Sequence, residues 1–283
     1  MRLARREYNL LGAVAIAAVL LVGAALFIFP FFWTVTTALK SYKQAFAYPP
    51  VWIPDPPMWS NFKEAWTTLP QPFQIFVLNT YTIAFLATLG TILSCSLVAY
   101  GFARFEFKGR KALFLLLLST MMLPGQVTMI PVFVLWNKLH LVDTFAPLVL
   151  PAWFATSAFS VFLLRQFFMT IPKELDEAAM IDGCSYFGIW WRIIMPLSRP
   201  ALVTIVILSF LGEWNDFMGP LIYMNSLGNY TVSIALNMFR DLFYVRLELL
   251  MAASLIHILP VIILFFAAQK YFIKGITMTG LKG

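Results

Sequence analysis

Nearly unbroken apolar runs alternate with short polar connections along this chain. The runs lie near 11–37, 76–101, 112–136, 146–168, 201–224 and 248–269. Each approaches the ~20 residues that a helix needs to cross a bilayer. No gap between them holds a soluble domain, so the pattern predicts an all-α polytopic membrane protein with about six transmembrane helices. Residues 1–283 form one transmembrane domain in this reading, with 172–200 as a cytoplasmic loop within it. The longest gap, roughly 38–75, contains YPPVWIPDPPMW. Its prolines forbid a continuous helix, so it is expected to lie extended on the membrane surface, with NFKEAW as a short helix. Arg2, Arg5 and Arg6 precede an apolar run from about Leu10 to Leu39. A secretory leader has a core of only ~7–15 apolar residues, so this run is expected to stay as the first helix.

Composition agrees with the pattern. Hydrophobic residues make up 61% of the chain and charged residues 12%, with a mean hydropathy of +0.82. A soluble domain is about 25% charged. The net charge of +7 carries information through its distribution and implies no nucleic-acid partner. With a cytoplasmic N-terminus, the inside segments hold Arg2, Arg5, Arg6, Arg104, Lys108, Arg110, Lys111, Arg165, Lys173, Arg192, Arg199, Lys270, Lys274 and Lys282. The outside segments hold Lys40, Lys43, Lys63, Lys138, Arg240 and Arg246. That asymmetry is the positive-inside pattern. It places both termini and the 172–200 loop on the cytoplasmic side of the membrane. Cys95 and Cys184 form no disulfide or metal framework.

The stretch ELDEAAMIDGCSYFGIWWRIIMPLSRP, from Glu174, falls in one of these cytoplasmic gaps. Pro172 suits the first turn of a helix, and Glu174, Asp176 and Glu177 complement the positive end of its dipole. Gly183 supplies a left-handed residue to end it. Ser185 caps a second helix that runs to about Met195, limited by Pro196 and Pro200. Two helices this short are unstable alone in water. Either the aromatics dip into the lipid interface, or the pair fits a groove on a cytosolic partner, with Ala178 and Ala179 permitting close approach.

The spacing of Glu177, Ala178, Ala179, Gly183, Ile193, Met195 and Pro196 resembles the EAA loop of ABC importer permeases. Asp182 before the glycine fits, and Met195 replaces the family's Leu, a volume-conserving change. AYGFARFEFKGRK after the second run, EWNDF in the fifth and the ending QKYFIKGITMTGLKG resemble the carbohydrate branch, of the maltose-transporter G type. The resemblance implies a type I ABC importer permease fold and a coupling helix docked in an ATPase dimer, with Glu177, Ala178, Ala179, Asp182, Gly183, Ile193 and Pro196 in the contact. It also implies a second homologous permease subunit, an extracytoplasmic solute-binding protein and surrounding membrane lipid. No cofactor is expected on this chain; ATP and Mg belong to the partner ATPase.

Two observations bear on chemistry. There is no G-x-x-x-x-G-K-[ST] phosphate loop, so the chain is read as a non-catalytic subunit driven by a separate ATPase; the carbohydrate-branch resemblance implies a sugar, oligosaccharide or polyol as its solute. In the fifth run, Ser209, Gly212, Glu213, Asp216 and Pro220 share one face at helical spacing, with Asn215 to the side. Ionisable residues at membrane depth normally face a bundle interior or a watery cavity. Glu213, Asp216 and Asn215 are therefore candidate pathway residues; the alternative is that the two acids pair with a sister subunit, or that Glu213 is protonated and bonded to backbone. Pro124, Gly125 and Pro131 are expected to interrupt the third run, with Gln126 lining the pathway beside the break. Trp153 either stacks on a sugar face or anchors the helix. A cationic solute such as a polyamine, attracted by the two acids, and a stand-alone secondary carrier are the competing readings. The two histidines, His140 and His257, are too far apart for H-E-x-x-H.

Overall fold

The computed structural model describes residues 2–240 and 245–279; Met1 and the last four residues of the ending, Lys282 among them, lie outside the described residues. The described chain is helical, and it divides into two compact units.

The first unit comprises residues up to 72 and 236–258. Helix α1 (Arg2–Ala38) is 37 residues long, and its stretch Gly12–Ala38 is apolar enough to cross a membrane. Helix α2 (Ser60–Thr67) is the short helix expected from NFKEAW. Its Asn61 Nδ2 donates to the carbonyls of Ala38 and Lys40 at 2.8 and 2.7 Å, which satisfies backbone oxygens left open at the end of α1. Lys40 is buried over the Trp33 ring at 3.9 Å. Arg246 bridges Glu64 at 2.8 Å and the buried Glu248 at 2.6 Å.

The second unit comprises residues 73–235 and the chain beyond 258. Helix α3 (Phe73–Arg104) is its axis. Small residues, Ala84, Ala87, Gly90, Ala99 and Ala103, lie along its buried positions and let neighbouring helices approach closely. Helices α6 (Ala146–Trp153) and α7 (Ala158–Thr170) pack against it, while α4 (Arg110–Ser119) and α5 (Gly125–Lys138) follow it in the chain. The chain continues through α8 (Glu174–Ile181) and α9 (Tyr186–Leu197) to α10 (Arg199–Trp214), α11 (Met218–Tyr223) and α12 (Val232–Asn237). Last comes α13 (Leu247–Thr279), whose start lies in the first unit.

Among the described residues, four helical stretches cross by length and composition alone, and six if each bent pair counts as one span. The third run is not a straight helix. It bends by 99° between Met122 and Gly125, because Pro124 has no N–H and holds Leu123 in extended backbone. Pro131, expected to cause a second break, sits inside an unbroken α5; one lost hydrogen bond does not end a helix that is apolar throughout. Where α6 gives way to α7, Ser94 Oγ of α3 donates to Ala152 O at 2.7 Å and accepts from the Ala155 N–H at 3.2 Å. A side chain thus satisfies backbone groups that the break exposes inside the bundle.

Candidate coupling and translocation sites

Helix α8 begins with Lys173 as its flanking residue, so Pro172 lies just before the first turn rather than in it. Glu174, Asp176 and Glu177 occupy that turn. Gly183 follows at φ +80°, and the amides of Gly183 and Cys184 close back on the carbonyls of Met180 and Ala179 at 3.0 and 2.9 Å. These are the left-handed residue and the paired return bonds of a glycine-terminated helix. Ser185 then caps α9, accepting from the Gly188 N–H at 3.2 Å. A π-wound turn, Trp190–Ile194, lies in the middle of α9. The bend from α9 into α10 is 82°, falling at buried Ser198 with Pro200 opening the next helix. The two-helix handle expected from the sequence is present.

Its two faces do different things. Ala179, Ile189, Trp190 and Ile194 join a single hydrophobic core with Tyr100 and Ala103 of α3, Leu164 and Phe168 of α7, and Ala201 and Ile205 of α10. Trp190 is 2% exposed. Ile193 and Met195 pack half-buried against the same core. The opposite face carries Glu177, Ala178, Asp182 and Pro196, all exposed, with Ile181 at 87% exposure beside Phe187 and Trp191. The two alanines therefore part company: Ala178 is available to a partner, whereas Ala179 is packed inward. The aromatics divide too, since only Trp190 is buried and Tyr186 rests an exposed ring against Phe105 at 5.0 Å.

Handle and bundle are tied by an ion pair between Asp176, expected only as a first-turn acid facing the helix dipole, and Arg104, expected only as one of the inside cations. Asp176 is buried, with its Oδ2 2.8 Å from Arg104 Nε; the two side chains are 10% and 5% exposed. Arg104 Nη2 also donates to Ile171 O at 3.0 Å. Burial pushes the Asp176 carboxyl above its usual range, and Arg104 and then Lys173 oppose that shift. The only sequence signal was an arginine ending one apolar run and an acid beginning a polar one.

The fifth run holds the other candidates. Trp214 is buried at the end of α10, its ring edge-on to Tyr81 of α3 at 4.8 Å. Glu213 beside it is half-buried. The helix stops there, so the single face drawn through Ser209, Glu213, Asp216 and Pro220 does not extend past Trp214. Asn215 is exposed and turns its Nδ2 back to Leu211 O at 2.8 Å. Asp216 Oδ1 accepts from the Gly219 N–H at 3.2 Å, and Ser233 Oγ donates to Asp216 O at 2.6 Å. Asp216 thus holds the chain where it restarts as α11, a backbone contact not anticipated for this residue. Trp153 lies against Gly90, where an added Cβ would come within 2.5 Å of the indole. Gln126 is exposed at the start of α5. Among the described residues neither Gln126 nor Trp153 hydrogen-bonds to Glu213, Asn215 or Asp216.

The chain's relatives agree with this architecture. The family described as binding-protein-dependent transport system inner membrane component matches residues 93–278. The arabinooligosaccharides transport system permease protein AraQ of Bacillus subtilis (strain 168) is 40% identical over 205 residues, 72% of this chain and 72% of that protein. The sulfoquinovosyl glycerol transport system permease protein SmoH of Agrobacterium fabrum is 31% identical over 267 residues, 94% of this chain and 92% of its own length. In a crystal structure of a bacterial ABC transporter involved in the import of the acidic polysaccharide alginate, one chain matches with a TM-score of 0.81 at 22% identity. The match covers 92% of this chain and 96% of that one, and at this identity it is a likeness of fold. The sequence and the fold agree, and this chain belongs to the family of binding-protein-dependent transport system inner membrane components.

Proposed function

We propose that this permease is one half of the pathway of an ABC importer for a sugar, oligosaccharide or polyol. A second, related permease supplies the other half, and an extracytoplasmic binding protein delivers solute. ATP and Mg act in a separate ATPase dimer that closes beneath the coupling handles. On this reading both termini and the α8–α9 handle face the cytoplasm. Support for the solute class comes from relatives named for arabinooligosaccharides and sulfoquinovosyl glycerol. A polyamine pathway is not favoured.

The observation that carries the reading is the two-faced handle. Its inner face is continuous with the bundle core, while Glu177, Ala178 and Ile181 stand free on the other side. Reversing a two-state equilibrium from 1:99 to 99:1 takes about 5.5 kcal/mol. A lever moves the bundle only if it cannot slip against it, and the buried faces of α8 and α9 meet that requirement. The exposed face would receive the motor.

The test replaces Glu177 with Lys, or Gly183 with Pro, in the assembled transporter. Proline cannot adopt φ +80°, so Gly183→Pro redirects the handle. Both variants are expected to fold and insert while losing solute-stimulated ATP hydrolysis and uptake together. In a Cys184→Ser background, Ala178→Cys should crosslink to the ATPase and Ala179→Cys should not. Full coupling in both handle variants would refute the docking role.

A further inference from the structure

A second feature of the same unit is left unused by transport. Where α3 ends and α4 begins, a cavity of about 160 Å³ is lined by four cations, Arg104, Arg110, Arg165 and Lys173, and by one acid, Glu106. Arg104 is neutralised by Asp176. Among the described residues the other three cations have no carboxylate within ion-pair distance, and neither does Glu106. Arg110 Nη1 reaches only a backbone oxygen, Phe105 O, at 2.9 Å. Arg165 Nε donates to Phe102 O at 3.3 Å, and its guanidinium lies 4.2 Å over the Phe114 ring. Two guanidiniums therefore turn toward one half-buried space, a placement that repulsion disfavours unless an anion completes it.

The neighbouring space indicates the form of that anion. A second cavity, about 270 Å³, shares Arg110 and Arg165, adds Lys111, and continues onto Phe114 and Leu115. From there α4 presents Leu113, Leu115 and Leu116 as exposed side chains. A cluster of cations thus opens directly onto a greasy helix face. Free phosphate has no use for the second part; a phospholipid matches both.

We infer that this cavity binds the phosphate of an anionic membrane phospholipid, whose acyl chains run down the exposed face of α4. Arg110 and Arg165 grip the phosphate, and Lys111 and Lys173 add charge at the rim. Basic pockets between helices at the cytoplasmic side of a membrane are suited to such headgroups. The inference rests on the chain spanning a membrane with this end inside.

The test titrates the purified full chain in detergent with phosphatidylglycerol and with phosphatidylcholine, counting retained lipids by native mass spectrometry. Phosphatidylglycerol should be retained preferentially, and the preference should fall about fivefold for each cation removed, in Arg110→Gln, Lys111→Gln and Arg165→Gln. Arg110→Lys and Arg165→Lys should keep it, which separates lost charge from misfolding. Lys138→Gln, at the far end of α5, should change nothing. Equal retention of the two lipids, or an unchanged preference in the triple Gln variant, overturns the inference. Competition by glycerol phosphate at the same concentration as lipid also overturns it and assigns the site to a free phosphate. Loss of ATPase assembly in the Gln variants without any lipid preference assigns the cations to a protein partner and overturns it likewise. The lipid titration itself needs no ATPase or binding protein, so its result is distinguishable from a failure of the coupling mechanism.

Discussion

Arg104 of α3 and Asp176 of α8 form an ion pair at 2.8 Å in the floor between bundle and handle, both side chains almost without solvent contact. Burial raises the Asp176 carboxyl above its ordinary value of 3.8. The folded chain then binds that proton more tightly than the unfolded one. The contribution of this proton to stability therefore falls as pH climbs from 3.8 through the raised value. What the pair fixes is position. Asp176→Leu alone should destabilise by about 3–5 kcal/mol, because it strands a buried cation, while Arg104→Met combined with Asp176→Leu should be near neutral. Thermal unfolding of the purified chain measures both. Solute-stimulated ATPase should drop in the double variant even though its stability is restored, which a merely structural pair would not produce.

The handle was legible because its signals are local. Acids in a first turn, a glycine at a helix end and a serine cap act within a few residues of themselves, and the structure reproduces each. Helix number was legible in outline from the apolar runs. The breaks were legible only in part. Pro124 announces its own bend, but the stop at Trp214 has no proline, and it is set by Trp214 packing on Tyr81 and by the Asp216 and Ser233 bonds. Arg104 with Asp176 escaped notice because seventy-two positions separate them and charge of either sign is ordinary at a membrane surface. Trp153 against Gly90 is likewise a contact between distant runs.

At the other end of the unit, Asp143 holds a loop together. Its Oδ1 accepts from the amides of Asn225 and Ser226 at 2.9 and 2.8 Å and from Asn229 Nδ2 at 3.1 Å, while Ser226 Oγ binds Oδ2. These bonds, the Ser226 hydroxyl foremost, hold the carboxyl well below the usual carboxylate range. The stabilisation is present above the ordinary value of 3.8 and is lost as pH falls below it toward the depressed value. Asp143 also stands at φ +64°, a conformation that Asn adopts more readily than Ala. Asp143→Ala should lower hydrogen-exchange protection of the Ser226 amide by about tenfold or more, the net worth of one hydrogen bond. Asp143→Asn should fall between.

Gly90 is where α3 admits the Trp153 indole. A methyl group there would sit 2.5 Å from the ring, so Gly90→Ala should cost about 1–3 kcal/mol through overpacking. Adding Trp153→Ala should recover most of that loss, as measured by unfolding of the purified chain. If Trp153 instead serves by stacking on solute, Trp153→Ala alone should raise the KM for uptake with little change in stability.

Glu213 and Asp216 are separable because only one of them has a structural task. Asp216 bonds the Gly219 amide and restarts the helix, and removing such a cap typically costs about 1 kcal/mol. Asp216→Ala should therefore reduce thermal stability, while Asp216→Asn, which keeps an accepting oxygen, should restore it. Glu213 precedes the break, half-buried beside Trp214. If it lines the passage, Glu213→Gln should leave the amount and stability of the subunit unchanged and depress uptake, because a carboxylate accepts stronger hydrogen bonds from solute hydroxyls than an amide does. Uptake assays beside unfolding curves separate the two. Equal losses of stability in Glu213→Gln and Asp216→Ala would make both acids structural and move the pathway to another face of α10.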